Sequence, residues 1–266
     1  MNCKTFSSLL SNLREKRPLV HHITNYVTVN DCANITLCIG AAPVMAHAHE
    51  EVAEMVSMAG ALVLNIGTLD KSQIESMLIA GKRANQLNIP IILDPVGAGA
   101  TRLRTECANR LLHDLKISVI KGNAGEIAIL AGEEGIVKGV DSHGVKGDPL
   151  SIAKSLASSL GLTVAMSGAT DIVTDGKKSI FIDNGHELMG KISGTGCMAA
   201  SICGAFSSVT EDSVTSTAAA LTAFGIAGEK AGVNNYAPFS FKTSLFDEVY
   251  KLSPEDLEKY ARVRVI

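Results

Sequence analysis

The sequence predicts an α/β fold, a central, mainly parallel sheet flanked by helices on both faces. Three observations carry the prediction. Apolar runs such as residues 61–64 and 90–93 are continuous and end in polar residues, as in strands buried on both faces. Strand, loop and helix patterns then follow one another three times, over residues 61–87, 90–115 and 117–130, the order from which parallel sheets are built. Finally, 266 residues that are 46% hydrophobic and 19% charged can bury a full core, so one domain over 1–266 is expected.

Each element has its own reason. Residues 5–16 place Phe6, Leu9, Leu10 and Leu13 on one side of a helix that Pro18 stops. A short strand over 19–23 follows, and Thr24 to Thr28 then open a helix running to about Cys38, which puts Asn25 in a strand-to-helix loop. Residues 40–45 form a short apolar segment, and 50–58 a helix. The helix over 71–87 has crossover length, and those over 104–115 and 124–130 complete the later units. Residues 132–147 hold five glycines and mixed charges without periodicity, the pattern of a lid-like loop. Beyond a helix at 149–160 come a strand at 162–168 and a hairpin, 171–175 and 178–184, turning at Gly176. Two packed helices fill 194–232 with a break near 207–212, and two more, 240–252 and 254–260, close the chain.

A net charge of -3 gives no broad basic field, so no nucleic-acid partner is expected and the substrate should be small. Six cysteines without C-x-x-C spacing read as reduced thiols of a cytoplasmic protein. No signal-peptide h-region and no apolar run of membrane-spanning length is present, so no membrane association is expected.

The stretch with most chemical content is Ser193-Gly194-Thr195-Gly196-Cys197, at the mouth of an apolar helix. Small residues there leave the first-turn amides bare, where the helix dipole adds positive charge. This makes an anion socket, with Cys197 one turn in; the alternative is a glycine-rich turn capping a buried helix. Strand ends supply Asn65, Asp94, Lys121, Asn123 and Ser167, where ligands of parallel sheets bind. Asp94 cannot be buried cheaply as a bare charge. Asp94 with Asn123 and Glu126 could hold Mg²⁺ through oxygens, or Asn123 and Glu126 could form a capping box. His21, His22, His47 and His49 lack metal-ligand spacing, and neither a Walker A motif nor a G-x-G-x-x-G after the first strand is present.

Taken together, several segments resemble the hydroxyethylthiazole kinases of thiamine salvage, within the ribokinase-like family, over essentially the whole chain. They are Val20 to Val27 with Asn30-Asp31, Ala42 to Met45, Leu93 to Ala98, Lys121 to Glu126 and Gly194 to Cys197. The resemblance implies transfer of the γ-phosphoryl of ATP, with Mg²⁺, to the alcohol of 4-methyl-5-(2-hydroxyethyl)thiazole, by homotrimers with the thiazole site near a subunit boundary. It implies that Met45 and Gly194 contact the thiazole and that Asn25 and Val27 line its pocket. It implies that Lys121 and Ser167 contact ATP, and that Asp94 and Glu126 manage Mg²⁺ and phosphate. Gly194 to Cys197 would stabilise the migrating charge, with Cys197 where the wider ribokinase-like pattern has an aspartate base. Lys121 stands where many thiazole kinases carry arginine, a point charge in place of a planar fork.

Overall fold

A computed structural model of the chain describes residues 3–132 and 147–266; apart from its two end residues, the lid-like loop expected over 132–147 lies outside them. The described strands form one nine-stranded sheet in the order β2-β1-β3-β4-β5-β6-β7-β8-β9. Six strands run parallel: β1 (Leu19–Ile23), β2 (Ala42–Val44), β3 (Ala61–Asn65), β4 (Ile91–Asp94), β5 (Val119–Asn123) and β6 (Thr163–Ser167). The last three, β7 (Asp171–Thr174), β8 (Ser179–Ile182) and β9 (Val263–Val265), extend it as an antiparallel meander. Because β2 lies on one side of β1 and β3 on the other, winding reverses between β1 and β3. A crevice opens beyond the carboxyl ends of strands at such a point.

Alternation along the strands divides the core into two layers. Val20, Val63, Ile92 and Val119 face α1 (Lys4–Lys16), α2 (Val29–Ile39), α8 (Thr195–Ser207) and α9 (Ser213–Gly232), with α10 (Pro238–Lys251) and α11 (Pro254–Tyr260) outside them. Leu62, Leu64, Leu93 and Ile120 face α3 (Val52–Ser57), α4 (Lys71–Gln86), α5 (Arg102–Asp114), α6 (Ala124–Leu130) and α7 (Pro149–Leu160). Helix α8 lies directly on the strands because Gly204 has no side chain. A Cβ there would stand 2.6 Å from Val63 Cγ2 and 3.2 Å from Val20 Cγ1.

Three details depart from the sequence reading. Helix α2 starts at Val29, so Thr24 to Thr28 are all loop. Helix α10 starts at Pro238, whose missing N–H costs nothing in a first turn. Strand β9 has no pattern of its own; its three residues, flanked by Ile266 pairing with Ser179, are ordered by the edge of β8. No helix of the described residues is long and apolar enough to cross a membrane.

Candidate active site

Five parallel strands deliver their last polar residues to one end of the sheet. Asn25 lies just past β1, Asn65 ends β3, Asp94 ends β4, Lys121 and Asn123 lie in β5, and Ser167 ends β6. Helix α8 brings its amino terminus to the same place. Gly194 caps it at φ 93° with no side-chain cap bond, and the first intrahelical bond runs from the Met198 N–H to the Gly194 carbonyl, 2.8 Å. The amides of Thr195, Gly196 and Cys197 precede that bond, so the helix offers its own backbone donors. The Thr195 hydroxyl turns away to the Met189 carbonyl, 2.9 Å.

Both glycines allow close approach. A Cβ on Gly194 would stand 2.5 Å from Thr28 Cγ2, and one on Gly196 would stand 3.1 Å from Lys121 Nζ. The Lys121 ammonium therefore sits beside the open turn. Lys121 is 4% exposed, and burial alone would lower its pKa; the carboxylates of Asp94 and Glu126 outweigh that and hold it above the ordinary value, fully charged.

Asp94 is 2% exposed and accepts a 2.6 Å hydrogen bond from Asn65 Nδ2. Burial pushes its carboxyl up to about 7, against the pull of Lys121. Glu126 is spoken for on both oxygens: Oε1 accepts from the Gly97 N–H and Oε2 from the Asn123 N–H, each at 2.8 Å. The Asn123 side chain in turn accepts from the Glu126 N–H at 2.9 Å, so the capping box is present. Burial raises the Glu126 carboxyl in spite of those amides. Each oxygen still keeps a second lone-pair direction.

Cys197 is 9% exposed, with Asn25 Nδ2 at 3.4 Å from Sγ. A helix amino terminus ordinarily lowers a thiol pKa. Here burial, and then the neighbouring Asp94 carboxylate, push it up to about 12, which favours the neutral thiol.

On one side of the turn lies a cavity of about 750 Å³ lined by Lys121, Ser167, Asp171, Thr195, Gly196 and Phe224 among others. On the other lie Thr28, Asn25 and the loop after β2. Met45 is half-buried in that loop, whose Ala46 carbonyl accepts from His21 Nε2 at 2.7 Å. Val27 is 69% exposed and, like Met45 and Asn25, does not line the cavity. A cleft of about 1080 Å³ opens at the opposite, amino end of the strands, but its charged side chains, Lys16, Lys116, Asp175, Lys177 and Glu211, are all exposed.

Sequence reasoning passed over Arg104 and Asp171. Arg104 Nη1 donates to the carbonyls of Ile66 and Val96, and Nη2 to that of Gly67, bracing the loops after β3 and β4. Asp171 opens β7 but points to the cavity; burial pushes its carboxyl up to about 6, against the Gly168 N–H that it accepts. Nothing in the pattern of either residue distinguishes it from a surface charge. His21 and His22 are core histidines whose pKa values burial lowers, His22 to about 4. Among the described residues no three His, Cys, Asp or Glu side chains gather as a metal cluster.

The sequence and the fold have close counterparts. The family model of the hydroxyethylthiazole kinase family matches residues 10–255. A hydroxyethylthiazole kinase of Methanocella arvoryzae is 70% identical over 99% of both chains, and one of Methanosphaerula palustris 64% identical over 98% of both. The structure of a hydroxyethylthiazole kinase protein from Pyrococcus horikoshii superposes with a TM-score of 0.92 at 44% identity, covering 99% of both chains. A Staphylococcus aureus pyridoxal kinase bound to AMP-PCP and pyridoxal shares the fold at a TM-score of 0.62 and 13% identity, covering 94% of this chain and 98% of its own. With its family model matched over residues 10–255 and relatives of that name aligned end to end, the chain that carries this open helix terminus between Lys121 and Thr28 belongs to the hydroxyethylthiazole kinase family.

Proposed function

We propose that the chain transfers the γ-phosphoryl group of ATP to the hydroxyl of 4-methyl-5-(2-hydroxyethyl)thiazole, giving the thiazole phosphate used in thiamine biosynthesis and salvage. The observation that carries this is the bare first turn of α8, with Lys121 Nζ 3.1 Å from the Cβ position of Gly196 and a cavity on the lysine side. Fixed donors aimed at developing charge are what phosphoryl transfer requires, because its transition state is loose. Lys121 and Ser167 contact the nucleotide, with the phosphates running from the cavity to the socket. The amides of Gly194, Thr195, Gly196 and Cys197 hold the transferring group. Met45, Asn25, Val27 and Gly194 line the acceptor side, where an apolar heterocycle suits the methionine and valine.

Two buried carboxylates, with no third His, Cys, Asp or Glu gathered with them among the described residues, suit a cation that arrives with phosphate and water as its other ligands. Asp94 and Glu126 would hold Mg²⁺ in that way, and it supplies charge neutralisation at the phosphates. The alcohol oxygen forms the new bond to the γ-phosphorus as the bond to the β-phosphate bridging oxygen breaks. The hydroxyl proton leaves late, to the transferred phosphoryl group, since the Cys197 thiol does not accept it. Cys197 orients the hydroxyl. Val27 and Tyr26, 69% and 60% exposed beside the socket, support a homotrimer in which a second copy covers the acceptor side. Six free cysteines support a cytoplasmic setting.

Release of ADP from Mg-ATP and hydroxyethylthiazole tests the reading, run beside pyrimidine, pyridoxal and sugar alcohols. Turnover confined to the thiazole and abolished in Asp94→Ala is expected. A protein that binds ATP but turns over none of the alcohols would overturn the kinase assignment.

A further inference from the structure

The reaction as described uses Asn25 on the acceptor side and Asp94 on the phosphate side, and one buried side chain joins them. Asn65 is 1% exposed at the end of β3, against the winding reversal. Its Oδ1 accepts from Asn25 Nδ2 at 2.8 Å and from the Gly67 N–H at 2.9 Å. Its Nδ2 donates to Asp94 Oδ2 at 2.6 Å. Asn25 is held in the same sense, because its Oδ1 accepts from both the N–H and the hydroxyl of Thr28, each at 3.1 Å. Neither amide can flip, since a flip would turn an NH₂ group onto a backbone N–H, of Thr28 or of Gly67, that cannot accept. The Asn25 NH₂ must then face Asn65 and Cys197 Sγ, and the Asp94 carboxylate has one oxygen fixed.

We propose that Asn65 is a positioning residue that couples the acceptor pocket to the phosphate end, its carbonyl holding Asn25 against Cys197 while its NH₂ holds Asp94. The two halves of one side chain serve two substrates. This rests on the kinase reading only for the identity of those substrates. The polarity of the residue matters as well as its volume. Aspartate at 65 keeps the oxygen that receives Asn25 and Gly67 but meets Asp94 with an acceptor, whereas alanine removes both halves.

The test is calorimetric binding of hydroxyethylthiazole without nucleotide or metal, with kcat and KM for ATP at saturating alcohol, on wild type, Asn65→Ala and Asn65→Asp. A lost buried hydrogen bond of about 1 kcal/mol is about fivefold. Asn65→Ala is therefore expected to weaken alcohol binding about fivefold or more and to lower kcat as well, with KM for ATP within about twofold. Asn65→Asp is expected to bind the alcohol nearly as wild type and to lose about tenfold or more in kcat. A residue that merely clips strands together would lower the melting temperature without that split. Folded variants with wild-type alcohol binding and kcat would overturn the proposal. So would an Asn65→Asp whose binding and kcat fall together. If Asn65→Ala does not fold, the near-isosteric Asn65→Asp decides alone. A wild type that neither binds nor phosphorylates the alcohol overturns the kinase reading, and the coupling with it.

Discussion

Helices α6 and α8 both begin at the carboxyl end of the sheet, and their first turns are finished in opposite ways. At α6 the chain fills the terminus from its own side chains: Asn123 and Glu126 close a capping box, and the second Glu126 oxygen goes on to Gly97. At α8 the cap is Gly194, which has no side chain to give, and the residues after it leave three amides for something else. The closed terminus holds a loop in place, while the open one is free to hold an anion. The difference lies in side chains no larger than those of Thr195 and Cys197, and it separates a terminus that is already bonded from one that is open.

Closing the open terminus should have the largest effect. Gly194→Ala places a Cβ 2.5 Å from Thr28 Cγ2 at a φ of 93°, so the first turn must shift. Misaligned oxyanion donors cost on the order of 10² to 10³ in rate, and that loss is expected in kcat. A variant with wild-type kcat would mean that these amides do not meet the migrating charge. Opening the closed terminus is the converse experiment. Glu126→Gln presents an NH₂ to one of two N–H donors, a loss of about 1–2 kcal/mol that should lower the melting temperature by roughly 2–8 °C. The apparent Mg²⁺ requirement in the kinase assay should also rise about tenfold if one hard-cation ligand becomes an amide. An unchanged requirement beside a lower melting temperature would make Glu126 a cap and nothing more. The smallest effect is expected within the open turn, where Cys197→Ala removes one weak partner of Asn25 and should cost about two- to fivefold in kcat. With the thiol pushed up to about 12, the wild-type rate should show no thiol ionisation between roughly pH 7 and 9. A profile that gains an inflection there, absent from Cys197→Ala, would restore the thiol as a base.

Much of this contrast is legible in the sequence. Gly-Thr-Gly-Cys ahead of an apolar run gives the open turn, and Asn-Ala-Gly-Glu offers a cap between residues three positions apart, because both depend on neighbours in the chain. The parallel strands are legible for the same reason, as apolar runs ending in Asn65, Asp94, Asn123 and Ser167. What the pattern leaves undecided is pairing at a distance. Asn123 with Glu126 reads as cap or ligand from the sequence, and nothing in that segment announces the Gly97 amide on the second Glu126 oxygen. Arg104 looks like an exposed helix cation, yet it reaches three loop carbonyls. The Cys197 thiol is set by its burial and by Asp94, a residue 103 positions away (197 minus 94), and not by the helix terminus that its own segment announces.

The missing side chain at Gly204 has a reach beyond packing. Gly204 lies eight residues along α8 from Gly196, about 12 Å at the rise of an α-helix. Strands β1 and β3 end in the groups that face the acceptor, and α8 rests on those same strands with no more than a hydrogen atom between. The helix thus acts as a spacer whose seat fixes how far the socket stands from Asn25, Asn65 and Asp94. An added methyl group would lift that seat, and a displacement of about 1 Å between reacting groups can cost on the order of 10² in rate. The machining tolerance of this catalyst is set in its dry interior, at a residue that never meets a substrate.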